Sequence, residues 1–468
     1  MLIGLVVNLL VLSSILWAAD YSNDSDIAKA IERRLSFDQG INSSNVVVET
    51  KEGIAILSGS VDNILASERA IEIAQTIKGV RSVIDMININ PVKREDEEIR
   101  SDILYAIKLD PIIESLNIDA KVTDGMITLT GTVDSFVQKI MVEKVVKGVK
   151  GIKSVDNKIA IIEKLKRSDD EIKADIESRL KGDVLLDSHF INVDVSDGNV
   201  KLSGVVGSLR ERLRAGYNTQ VTGIKSLNTA NLEVDLSKRN EMRRMESSIK
   251  QSDPDIKKSI EDTLIYDPRV NLYDVKVEVV DHVVTLTGTV DNLNSSQATQ
   301  NDAINTFGVW SVRNQITVKS ELIDDSKLLD NISKALMRDP YLANFDMKIG
   351  LLHGKVNLNG AVSSYFNKRR AEYVVSNIKG VVSVQNNLMV KTQEKNTDSI
   401  IKENIENIVS WNSYINSDSI KVAVEDSVAT LTGSVDNLYE SRIAEEIALD
   451  GGAKDIINKL EIKHSSDK

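Results

Sequence analysis

One short pattern recurs six times along the chain, and that recurrence limits the fold more than any other feature. A Leu-x-Gly-x-Val segment is built on Leu57, Leu129, Leu202, Leu286, Leu358 and Leu431. Its glycines, Gly59, Gly131, Gly204, Gly288, Gly360 and Gly433, stand 72, 73, 84, 72 and 73 residues apart. A second glycine follows each by 19 or 20 residues, at Gly79, Gly151, Gly223, Gly308, Gly380 and Gly452. Self-similarity at a fixed period marks a chain of repeated units. The single long interval comes from an insertion near residues 236–251, which divides the six units into two triplets.

Each unit opens with apolar residues four apart behind a Ser/Asp/Asn-rich start, as in Ile99/Ile103/Ile107 and Ile256/Ile260/Leu264. That is the stripe of a capped amphipathic helix. Three of these helices run into Asp-Pro (Asp110-Pro111, Asp267-Pro268, Asp339-Pro340), where proline disfavours helix in its predecessor. Two alternating runs follow, such as Val275–Val279 and Val284–Leu286, joined by Glu52-Gly53, Asp124-Gly125, Asp197-Gly198 or Asp281-His282. Such pairs suit the positive φ of a tight hairpin. A second helix, Ala66 to Ile77 in the first unit, and a last strand, Val312–Val318 in the fourth, complete the order α-β-β-α-β. The expected fold class is α+β, six small modules in tandem. The glycine of Leu-x-Gly lies within a strand, where glycine marks a bulge or a close backbone approach. The expected boundaries are 24–92, 95–163, 168–236, 252–320, 324–392 and 396–464, with a linker at 237–251.

Residues 1–19 carry no charge and end in Trp17-Ala18-Ala19-Asp20. They read as a secretion signal, with an uncleaved anchor as the rival, so the rest of the chain is expected outside the cytoplasm. No cysteine is present, which excludes disulfides and thiol chemistry. The formal net charge of −12 argues against nucleic acid as a partner.

Catalytic and metal-binding patterns are not found. The four histidines, His189, His282, His353 and His464, show no metal-ligand spacing. The recurring Asp62, Asp134, Asp291 and Asp436, each with the polar residue after it, read as caps of the second helix. Phosphate-cradling and nucleophile-elbow motifs are missing, and no cofactor is expected. One local charge imbalance bears on partners. Lys139, Lys144, Lys147 and Lys150 in the second unit form a basic stretch on an acidic chain, as do Arg210, Arg212 and Arg214 in the third and Lys238–Lys250 in the insertion. These cations read either as a contact for anionic lipid or as a solvated helix face.

The helix, Asp-Pro, Asp-Gly turn, Val-Thr-Leu-Thr-Gly-Thr-Val, helix and Gly-Val-x-x-Val-x-Asn-x-Leu series resembles the BON domain, named for bacterial osmotically induced periplasmic and nodulation proteins. The second and fourth units match best. The third has an extra residue in Leu227–Leu232, and in the sixth Gly451-Gly452-Ala replaces the Gly-Val step and shortens the second helix. The resemblance implies non-catalytic work in the periplasm: association with phospholipid surfaces or envelope proteins, and support of the envelope under osmotic stress. The alternative is a structural spacer or protein-interaction scaffold.

Overall fold

The computed structural model describes residues 23–38, 40–41, 43–162, 166–238, 251–267, 269–270, 274–319, 323–391 and 397–463. The expected signal or anchor at 1–19, most of the linker, Pro268 and His464 lie outside the described residues.

All six modules have the order read from the repeat. In the first, helix Asp24–Phe37 leads to strands Val46–Lys51 and Ile54–Val61, helix Ile64–Thr76 and strand Ser82–Ile89. The Leu-x-Gly strand is central. It pairs antiparallel with its hairpin partner and parallel with the last strand, because the second helix carries the chain across. Leu57, Leu129, Leu202, Leu286, Leu358 and Leu431 are fully buried between sheet and helices. Both helices pack on one sheet face, and the other face points outward.

The hairpin turn takes positive φ at both positions, at 52° for Glu52 and 74° for Gly53. A second device secures it. The first residue of the opening helix, Asp24, accepts hydrogen bonds from Glu52 N at 2.7 Å and Gly53 N at 2.9 Å. Asp96, Asp169, Asp253 and Asp398 accept the two equivalent amides in their modules, and Asp325 accepts from His353 N.

Three sequence expectations need correction. The second helix is capped by Asn63, Ser135, Asn292 and Asn437, each accepting from the amide three residues on. The preceding aspartate stands outside the helix, where Asp62 and Asp291 accept from the cap's own side-chain amide. The first helices end at the same place with or without proline. At every C-cap an Asp or Asn (Asp38, Asp110, Asp183, Asp267, Asp339, Asn412) accepts the N–H two residues later, and this turn is what breaks the helix. The sixth module's second helix is not short. It runs Leu438–Asp450, thirteen residues, with Gly451 as a right-handed C-cap. The shortest is the third module's, Leu209–Asn218. The extra residue of the third module appears as a register shift between Asn228 and Asn231.

The modules close on one another. The first residue of each second helix leaves its own module: Ile64 enters the core of the second module, Phe136 packs on the third, and Leu209 enters the first. The other triplet repeats the cycle. Leu293 packs on the fifth module, the Tyr365 hydroxyl donates to Lys454 O of the sixth, and Leu438 packs on the fourth. Each triplet is thus a closed ring.

The rings face each other through three module pairs. Lys78 N donates to Trp411 O and Ser413 N to Thr76 O between modules one and six. Lys150 N donates to Arg338 O and Lys379 N to Leu109 O between two and five, and Phe307 N to Gly182 O and Val184 N to Asn305 O between three and four. Second contacts join module one to five, where Arg69 lies 4.4 Å from the Phe366 ring, and three to six, where Arg210 and Arg214 lie 4.6 and 4.7 Å from Tyr414 and Tyr439. A two-ring body with such pairings has the contact pattern of a D3 hexamer, built here from one chain.

Candidate functional site

The four lysines singled out by charge do not share one free face. They belong to or follow the second helix of module two, Phe136–Lys147. Lys147 lies between two carboxylates, 2.7 Å from Glu68 of the first module and 2.6 Å from Glu143. Burial works against its charge, but those carboxylates outweigh it and hold the ammonium above the ordinary lysine range. The exposed Lys144 reaches the fifth module, its Nζ 4.9 Å from the Tyr373 ring. Lys150 supplies a backbone rung between the rings, and Lys139 is half-buried. The third module's cations serve assembly too. Arg214 Nε donates to both oxygens of Asp183, at 2.9 and 2.7 Å, while its guanidinium covers Tyr439.

The charged chemistry gathers where modules meet, around the C-caps of the first helices. Asp450 accepts from Arg34 at 2.6 Å and Arg369 at 2.7 Å, with Arg69 at 3.8 Å, so one carboxylate joins modules one, five and six. Burial opposes that charge, yet the guanidiniums prevail and the carboxyl stays below the usual range. Arg69, Arg214 and Arg370 each bind the C-cap aspartate of their own module.

The even modules carry Met141, Ala298 and Ile443 at that arginine position, and their C-caps differ accordingly. Asp110 rests on the amides of Ile112 and Ile113, and burial pushes its carboxyl up to about 6. Asp267 is bound by Arg269 from its own turn, while the neighbouring Asp302 is raised to about 8, by burial first and then by Asp267. The sixth module has a neutral Asn412.

Between modules two and five a cavity of about 70 Å³, lined by Asp110, Lys144, Arg338, Asp339 and Arg370, has room for a few waters. Small-molecule sites occupy roughly 300–1,000 Å³. A cleft of about 760 Å³ between modules one and three reaches that size, but Asp24, Glu52, Glu233 and Asp235 face it, with Arg81 as the cation. Asp24 is already committed to the hairpin turn. Among the described residues no group of three or more His, Asp or Glu side chains is placed to hold a metal ion. His282 stacks on Trp310 with ring centroids 4.0 Å apart, and exposed His189 contacts Asp187, so these histidines serve local structure.

Sequence reasoning missed the turn-binding aspartates and the C-cap aspartates. Both carried a signal. An Asp stands 28 residues ahead of the first turn residue in all six modules, and an Asp or Asn closes all six first helices.

A helix pair on one face of a small sheet of three strands, the last of them broken in modules two, four and five, recurs six times and defines a chain of small α+β modules. The BON domain family matches residues 23–91, 95–163, 168–235, 252–320, 324–392 and 397–464, and the chain belongs to that family. It is similar to Osmotically-inducible protein Y of Escherichia coli strain K12, 31% identical over 152 residues, covering 31% of this chain and 76% of that one. Two solved structures of CdsD, a structural protein of the type III secretion system of Chlamydia trachomatis, also match. They are 16% and 14% identical and cover 43% and 46% of this chain and 90% and 100% of theirs. Their TM-scores of 0.13 and 0.12 are too low to bear on the shape of this chain.

Proposed function

We propose that this is a non-enzymatic protein of the bacterial envelope, serving under osmotic or envelope stress, that meets phospholipid surfaces as one closed body of six BON modules. The observation that carries this reading is family membership along nearly the whole described chain, joined to similarity with an osmotically inducible protein. Closure supports a surface role, because the helices are spent on one another and the outer sheet faces remain for contact. Residues 1–19, apolar and uncharged, fit passage across a membrane or anchoring in it, and hence a periplasmic location. Among the described residues no helix is long and apolar enough to cross a membrane.

A second reading is favoured by the module pairs themselves. A body held by reciprocal backbone hydrogen bonds between rings suits a rigid scaffold for envelope proteins. Flotation separates the two. The full chain is mixed with phosphatidylcholine vesicles of increasing phosphatidylglycerol content, at low and high salt. Co-flotation supports lipid association, with salt weakening whatever part exposed lysines contribute. A chain that stays at the bottom of the gradient under every condition leaves the scaffold.

A further inference from the structure

The outward sheet faces are mostly polar in five modules, with scattered apolar residues, whereas in the first the apolar residues cluster. On that face of module one, Val47, Ile54, Ile56, Ile84 and Met86 lie in adjoining rows, with Ile56 paired to Glu49 on one side and Ile84 on the other. Val47 is 53%, Ile84 45% and Met86 61% exposed, whereas Ile54 and Ile56 are half-buried. The same face of module two offers Asp119, Thr128 and Asp156 at the places of Val47, Ile56 and Ile84. In no other module do more than two of the five positions carry an apolar residue. Strand propensity does not require this, since the other modules form the same sheet with Thr, Asn and Lys.

The patch adjoins the place where the chain enters the fold. Asn23 caps the first helix, and the next residue, Asp24, holds the turn at Glu52 and Gly53, directly before Ile54. Four residues upstream of that cap ends the uncharged apolar run of residues 1–19. Retained as the anchor, a run of that length nearly crosses a bilayer's hydrocarbon core, and five side chains of one sheet offer it only a single stripe. A bilayer covers both. A second protein is the poorer occupant, because a stable interface uses roughly 20–30 residues a side.

We infer that the outer sheet face of the first module is the surface this chain lays against a lipid bilayer, with Val47, Ile54, Ile56, Ile84 and Met86 entering the interfacial region. This rests on the lipid reading above and names its contact. The body then sits on the membrane by one corner, and the acidic remainder, part of a net charge of −12, stands away from anionic headgroups.

The absence of cysteine makes a direct test available. Ser58→Cys places one thiol between Val47 and Met86 on the outer face, and Thr130→Cys places one at the matching position of module two. Each full-length variant carries an environment-sensitive dye and is added to phosphatidylcholine–phosphatidylglycerol vesicles containing nitroxide lipid. The label at 58 should shift to the blue and be quenched roughly threefold or more beyond the label at 130, as expected for a group several ångströms into the interface. Ser82→Cys, on the same face, should repeat the result, and adding Ile56→Asp with Ile84→Asp should abolish it. Vesicle-bound protein whose labels at 58 and 82 are quenched no more than that at 130 overturns this surface while leaving lipid association intact. Protein that never binds vesicles overturns both.

Discussion

At the scale of single residues, most of what repeats is backbone chemistry with a steric reason. Gly131 has φ +123°, and a Cβ there would stand 2.1 Å from Asn117 O, the carbonyl that leads into the partner strand. Its counterparts in the first, third and sixth modules meet the same carbonyl at 2.0–2.1 Å. Gly131→Ala should therefore destabilise the protein by about 2–4 kcal/mol in chemical denaturation, more than an open strand position costs. An unchanged midpoint would remove the steric account. The turn aspartates act more gently. Asp169→Ala leaves the amides of Asp197 and Gly198 to water, at a cost of about 1–2 kcal/mol, and should speed hydrogen exchange at those two amides. The glycine and the turn were legible because they sit inside a local pattern. The aspartate was missed because its partner lies 28 residues away, and only the recurrence of that spacing in all six modules links the two.

Helices and strands were legible for the same reason: apolar spacing of four and alternation of two reach the observer directly from sequence. The caps were half legible, since Asp62-Asn63 offers two capping residues and only geometry chooses between them. What carried no sequence signal is the charge state of groups where elements meet. Asp302, on the second helix of module four (Leu293–Ile304), faces Asp267 and Arg269 of its own module and Arg179 of module three. Its folded pKa, about 8, lies above the ordinary carboxylate value, so the native state holds a proton that the unfolded state has lost. The stability this proton contributes is full below about pH 4 and is lost as pH rises through about 8. Asp110 acts with the same sign over a lower window, up to about 6. Denaturation of the parent and of Asp302→Asn at pH 5 and pH 8.5 should show the parent losing stability to the variant as pH rises. A constant difference would mean that Asp302 is ionised throughout.

For the whole molecule, the repeat specifies the module and the departures from the repeat specify the assembly. Arg69, Arg214 and Arg370 occupy one helix position in the odd modules, where the even modules have Met141, Ala298 and Ile443. Pro111 and Pro340 lack the N–H that Ser413 and Val184 donate across the rings, so the pair of modules two and five lacks the rung that each other pair has. Sequence reading looks for what the copies share and passes over such differences. The basic stretches of modules two and three were read as surface for that reason, yet several of their cations hold modules together. Changing Asp450 to Asn would leave Arg34, Arg69 and Arg369 crowded around a neutral amide, and a loss of about 3–5 kcal/mol is expected because three modules meet there. The closure of six modules into two facing rings is the claim on which the reading of surfaces depends, and small-angle X-ray scattering of the monomeric full chain tests it most directly. A compact body of this length should give a radius of gyration of about 23 Å, whereas modules strung end to end would give roughly twice that and contradict the closed arrangement.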